Sequence, residues 1–158
     1  MAEKYSNIVH ERVALANKGE NKTVITKMKS GWVVLGDNQI IPGYCILISD
    51  PVVESINILE NDRRNQFLSD MCIIGDALLK ALNADLINYM ILGNADRSLH
   101  AHIHPRYINE KEEYKKRPPF IYNVSNEPIV PFEYEKHKEI MEKIKMEINK
   151  IVGEENRK

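Results

Sequence analysis

Between positions 99 and 104 apolar and polar residues alternate strictly, with Leu99, Ala101 and Ile103 set against His100, His102 and His104. A period of two is the mark of a β-strand with one face in a core. The apolar set turns inward, and the three imidazoles emerge together on the other face, neighbours roughly 7 Å apart. The same reading predicts strands over 23–28 and 32–35, joined by a hairpin turn at Lys29-Ser30-Gly31, then over 44–49 and 86–92. Pro42-Gly43 marks a further turn, and Pro105 is expected to stop the histidine strand from continuing in a central ladder.

Helical periods lie around these strands. Residues 6–16 form a short helix with Ser6 or Asn7 as cap. A longer helix runs from a cap at Asn61 or Asp62 to about residue 83, where Phe67, Met71, Ile74 and Leu78 recur every three or four positions. The last helix spans about 135–152, with Ile140, Ile144, Ile148 and Ile151 on one stripe that reads as core or as a dimer contact. Gly153 is expected to end it. Between the histidine strand and this helix lie a charged run, 111–117, and four prolines (Pro118, Pro119, Pro128 and Pro131), the pattern of an irregular, wrapping segment. Strand hairpins, a helix and a further hairpin predict an α+β domain with an antiparallel sheet of about five strands.

The composition narrows the partners. The 158 residues fit a single domain, with a core over about 23–107 and a C-terminal extension with a helix over 108–158. With 22 basic and 23 acidic residues the net charge is −1, so no overall field draws the chain to nucleic acid or a membrane. No stretch approaches the ~20 apolar residues of a membrane span, and the first five residues lack an apolar leader. Cys45 and Cys72 sit in apolar segments and are expected as buried free thiols, so a cytoplasmic protein is expected.

Three of the chain's five histidines fall within five positions. One reading is a solvent-facing strand that happens to carry them. A second is a metal site, but three same-face positions span about 13 Å, too far for all to grip one ion at roughly 2 Å. The remaining histidines, His10 and His137, lie in predicted helices near the termini and bring no matching ligand motif. A third reading is nucleophilic catalysis on a phosphate. A neutral imidazole attacks phosphorus, and flanking histidines disfavour a second positive charge, so the central ring tends to stay unprotonated. His102 alone has a histidine on each side. His100 and His104 would orient it and donate protons to phosphoryl oxygens.

The run His100-Ala101-His102-Ile103-His104-Pro105-Arg106 resembles the motif of the histidine-triad superfamily, with arginine at the seventh position where an apolar residue is usual. Pro105-Arg106-Tyr107 resembles a bacterial branch of diadenosine tetraphosphate hydrolase-like proteins. Residues 36–44 resemble the segment through the family's Pro-Gly-His turn, with Tyr44 in place of the histidine. Leu92-Gly93-Asn94 resembles the Gly-Asn that precedes the triad. The likeness covers about 23–107.

The resemblance implies a nucleotide hydrolase or nucleotidyl transferase acting at the α-phosphate of a dinucleoside polyphosphate. His102 would be the nucleophile, and His100 and His104 its supporting pair. Asn94 matches an amide that binds a phosphate oxygen, or is a turn residue after Gly93. Asp37 falls near the residue that binds ribose hydroxyls, or only solvates its loop. Arg106 would neutralise polyphosphate or pair with a surface carboxylate. Arg97 and Ser98, just ahead of the triad, are placed to touch phosphate, and Trp32 is a candidate to stack on a base. No tightly bound cofactor or metal is expected, Mg2+ entering only alongside a polyphosphate substrate. A homodimer is implied. A nucleoside phosphoramidase and a non-catalytic nucleotide-binding regulator are the alternatives. The uridylyltransferase branch typically carries glutamine in place of the final histidine, present here as His104.

Overall fold

The computed structural model describes residues 7–157. The expected cap Ser6 lies outside them. Helix α1 (Ile8–Asn17) precedes strands β1 (Val24–Lys27), β2 (Gly31–Leu35) and β3 (Cys45–Ser49). A 3-10 turn (Ile56–Ile58) leads into α2 (Asn61–Leu82), followed by β4 (Leu86–Ile91) and β5 (His100–Arg106). Two single-turn helices, α3 (Glu112–Lys115) and α4 (Ile121–Val124), then lead to α5 (Tyr134–Glu155). The five strands form one antiparallel sheet in the order β1-β2-β3-β5-β4. The fold is α+β, as the alternating and helical periods predict.

One sheet face carries the core. Val33, Leu35, Cys45, Leu47, Ala101 and Ile103 are fully buried there beneath α2 and α5. The stripe on α2 that the sequence predicts, Phe67, Met71, Ile74 and Leu78, is buried. On α5 the residues Ile144, Ile148 and Ile151 join the same core, so the isoleucine stripe is core and not an exposed contact. Fully burying each such side chain is worth about 1.5–3 kcal/mol, which ties the last helix firmly to the sheet. Among the described residues no helix is long and apolar enough to cross a membrane.

Four expectations are corrected. Strand β5 does not stop at Pro105 but pairs through Arg106, with Ile87 opposite Pro105. The reason is local. The Arg106 carbonyl accepts from Asp85 on the β4 side, so by strand alternation Pro105's main-chain nitrogen faces the other side, where pairing with β3 has ended at Ile103. Gly153 does not end α5, which continues to Glu155. Helix α2 takes its cap position at Glu60, one residue before Asn61, and ends at Asn83 in the left-handed conformation. Both thiols are free, but only Cys45 is buried; Cys72 lies on the outer side of α2.

Candidate functional site

The opposite sheet face carries His100, His102 and His104. On β3, Ile48 stands across from His100 and Ile46 across from His102. On β4, Met90 faces His102 and Asn88 faces His104. The ring centroids of His100 and His102 are 4.9 Å apart at 76°, and those of His102 and His104 are 6.2 Å apart at 25°. The rings thus converge more closely than the spacing of an ideal flat strand.

Each ring has its own surroundings. His100 Nδ1 lies 2.6 Å from the Ser98 carbonyl oxygen, which only accepts, so His100 donates there. His102 Nδ1 lies 2.5 Å from the Tyr44 hydroxyl. The Tyr44 ring stacks on His104 at a centroid distance of 4.0 Å and an angle of 7°. His104 Nδ1 is buried without a hydrogen-bond partner. Burial lowers the His102 pKa to about 4, with the neighbouring His100 adding to the effect. Burial also lowers His104 to about 3, helped by His102 and Arg106. The central ring is therefore neutral at physiological pH, as the triad pattern predicts, but desolvation contributes more than like-charge repulsion.

Tyr44 is held by the loop that leads into β3. The Gly36 N–H donates to the Tyr44 carbonyl at 2.8 Å, and the Gln39 amide donates to it at 3.0 Å. Gly36 must be glycine, because a Cβ there would collide with the Tyr44 ring. Gly43, just before it, sits at φ +87, a conformation suited to glycine. The Tyr107 hydroxyl donates to the Pro42 carbonyl at 2.6 Å, tying this turn to the segment after β5.

A cleft of about 390 Å³ opens beside His100 and His102. Its floor is Ile46 and Ile48, with Ile8 and Val9 of α1 forming one side. Arg12 and Asp37 lie at the rim as an ion pair. A second cavity of about 100 Å³ borders His102 and His104 on the other side, between Met90 and the Phe120 region of the extension. Asn123, in α4, lines both. Such an arrangement offers an apolar seat, a polar rim and a neutral imidazole between them.

The expected residues fare differently. Asp37 is on the cleft rim, its side chain 64% exposed. Ser98 is buried and contributes its carbonyl to His100. Asn94 and Arg97 lie exposed on the loop between β4 and β5, and neither lines the two cavities. Arg106 shares the histidine face but is turned aside. Its guanidinium is buried and donates to Glu110, Asn88, and the carbonyls of Tyr114 and Arg117. It lines neither cavity, and of its two expected roles the one visible here is pairing with a carboxylate, Glu110, which is buried and not on the surface. Trp32 donates to Asp50 and carries Lys27 over its ring; it packs in the cluster of Val9 and Ile48 but does not line the cleft. Sequence reasoning missed Arg12, Ile46, Ile48 and Asn123. The parity of Ile46 and Ile48 on their strand was the available signal, whereas Arg12 and Asn123 arrive only through tertiary folding. Among the described residues no three histidine, cysteine or acidic side chains form a cluster able to hold a metal ion.

The sequence matches no protein-family model and no curated protein. Solved structures do resemble the chain. A histidine triad protein of Marinobacter aquaeolei is 20% identical with a TM-score of 0.68, covering 89% of this chain and 95% of its own. A hypothetical histidine triad nucleotide-binding protein of Sulfolobus tokodaii is 16% identical with a TM-score of 0.68, covering 89% and 93%. Plasmodium falciparum diadenosine triphosphate hydrolase is 18% identical with a TM-score of 0.56, covering 82% and 78%. The chain has the fold of these histidine triad structures.

Proposed function

We propose that this protein is a nucleotidyl hydrolase or transferase that acts at the α-phosphate of a dinucleoside polyphosphate. The observation that carries the reading is the neutral His102 at the junction of the two cavities, with Nδ1 engaged by Tyr44 and Nε2 left for a ligand. The nucleoside occupies the larger cleft, its base against Ile46 and Ile48 and its ribose hydroxyls at Asp37. His102 Nε2 attacks the α-phosphorus, the bond to the bridging oxygen breaks, and the other nucleoside departs with the remaining phosphates and that electron pair. Water then attacks phosphorus in the nucleotidyl-histidine, the imidazole leaves with its lone pair, and the water proton is released. His104 contributes an N–H donor to the phosphoryl oxygens as a neutral ring, and His100, whose Nδ1–H is given to Ser98, does so through Nε2 when that nitrogen carries a second proton. Asn94, Arg97 and Ser98 are kept as phosphate contacts on the sequence resemblance alone, since none of them lines either cavity.

Any Mg2+ belongs to the polyphosphate and not to the protein. The enzyme is proposed to act in the cytoplasm as a homodimer; β4 lies at the sheet edge and leaves Leu86 and Tyr89 exposed to a second copy. The likeness to a diadenosine triphosphate hydrolase supports this substrate class over a phosphoramidate. The test is to incubate the protein with diadenosine tetraphosphate and with an adenosine phosphoramidate, in EDTA and in magnesium. Preferential release of AMP from the diadenosine substrate is expected. Faster cleavage of the phosphoramidate would move the substrate class to P–N bonds. Cleavage of neither, with nucleotide bound, would make the protein a regulator.

A further inference from the structure

We propose that Tyr44 is a positioning residue for His102, its hydroxyl oxygen accepting the Nδ1 proton and so leaving the lone pair on Nε2. The inference rests on the function proposed above, which selects the direction of this hydrogen bond; the tautomer is read by a measurement that needs no activity. A neutral imidazole carries one proton, so whichever nitrogen holds it disarms that nitrogen as a nucleophile. The 2.5 Å contact between the Tyr44 hydroxyl and Nδ1 therefore decides the state of Nε2.

A phenol can donate or accept, and the chemistry selects the direction. If Tyr44 donated, Nε2 would carry the hydrogen and could not attack. Once Nε2 is bonded to phosphorus, Nδ1 keeps its proton and the Tyr44 oxygen can only accept. The accepting arrangement alone serves both before and after attack, with no proton moved on this side of the ring. When water displaces the imidazole, the electron pair returns to Nε2 and the Nδ1 proton is still in place.

The site is built to hold this phenol still. Its ring lies between His104, stacked at 4.0 Å, and the bare backbone of Gly36. Its carbonyl is pinned by Gly36 and Gln39, and the preceding turn is pinned by Tyr107. Burial, with Asp37 and Cys45 adding to it and Arg12 opposing, raises the phenol's pKa and keeps it uncharged. A neutral partner matters. His100 and His104 from β5, Cys45 from β3, Asp37 from the loop and Arg12 from α1 are the titratable and charged groups around the pair. A carboxylate at position 44 would favour the imidazolium and take His102 out of its nucleophilic form. In the Pro-Gly-His turn that this segment resembles, position 44 would be a second titrating imidazole; the phenol removes that titration from the physiological range.

The test is nitrogen-15 NMR of the imidazole nitrogens in the full chain at neutral pH, with His102 assigned by comparison with His102→Asn. We expect His102 as the Nδ1–H tautomer in the wild type and a loss of that preference in Tyr44→Phe, which keeps the stacked ring. In the same variant kcat should fall about ten- to a hundredfold with KM little changed, the loss of one hydrogen bond to a charge that develops on attack. A wild-type spectrum showing Nε2–H at His102 overturns the inference, and needs no variant to fold. So does a Tyr44→Phe protein that keeps the Nδ1–H form. A chain that shows the tautomer change yet cleaves no nucleotide supports the Tyr44 assignment and defeats only the proposed function.

Discussion

Arg106 and Glu110 form an ion pair closed off from solvent, Nη2 to Oε2 at 2.9 Å with side chains 7% and 8% exposed. Arg106 is the next same-face position after His104, yet it holds the chain after β5 and not a ligand. It reaches Asn88 on β4 and the carbonyls of Tyr114 and Arg117, while Glu110 also accepts from the Tyr107 N–H and the Tyr122 hydroxyl. The pair thereby fixes the start of the segment whose later residues, Phe120 and Asn123, wall the histidine cavity.

Removing one partner of a buried pair strands the other. Arg106→Ala should therefore cost about 3–5 kcal/mol of stability, measured by urea unfolding. A loss within the range of an exposed pair, under about 1 kcal/mol, would show that the anchor is not what holds the extension.

The pair also sets an acid limit. Burial alone would raise the Glu110 pKa, but hydrogen bonds from Arg106, Tyr107 and Tyr122 outweigh it and hold it below the usual carboxylate range. A carboxyl lowered in the folded state adds stability that is present above the unfolded pKa and is lost as pH falls through the folded one. Glu110→Gln should flatten the stability–pH curve below about pH 4.5. An unchanged slope there would contradict the assignment.

His102 and His104 act over a neighbouring window with the same sign. Their pKa values are lowered to about 4 and about 3, so between roughly pH 6.5 and those values the unfolded chain binds protons that the folded chain refuses. Stability should decline as pH drops through that window. In the proposed activity, the acid limb of kcat/KM should lie near pH 4, where His102 of the free protein protonates. A limb near pH 6.5, the ordinary histidine value, would mean that the ring is solvated.

Asp37 should act on binding. Asp37→Ala is expected to raise KM about tenfold for a ribonucleotide substrate, the worth of a hydrogen bond to a charged group, and to leave KM for its dideoxy counterpart unchanged. Equal effects on both sugars would remove the carboxylate from the ribose. Its ion pair with Arg12 is largely exposed on the Asp37 side, so stability should shift by less than about 1 kcal/mol.

What the sequence disclosed followed its periodicities. Strict alternation put Ala101 and Ile103 in the core and the imidazoles opposite, and the 3.6-residue stripes placed the inner faces of α2 and α5. Local signals failed where a tertiary partner decided. Pro105 reads as a strand stop until the end of β3 shows that its nitrogen has no ladder to break. Arg106 reads equally as a phosphate ligand or as the partner of a carboxylate, and only the fold shows Glu110, four residues on, taking its guanidinium. Tyr44 reads as a lost histidine, and only the fold brings its hydroxyl to His102 across 58 positions. The extension reads as a wrapping segment, which is correct in kind. No local pattern shows that residues 130–132 pair with the Asp37 loop, where the Asp37 carbonyl accepts from Phe132 and the Gln39 N–H donates to Val130.

The central claim is that His102 is nucleotidylated. Wild-type protein mixed with diadenosine tetraphosphate and quenched in alkali, where phosphohistidine bonds persist, should gain the mass of one AMP group per chain by intact-mass spectrometry. Fragmentation should place it on His102, and His102→Gly should show no adduct and a turnover lowered by several orders of magnitude. An adduct on another residue, or a His102→Gly variant that turns over within tenfold of the wild type, would contradict the account.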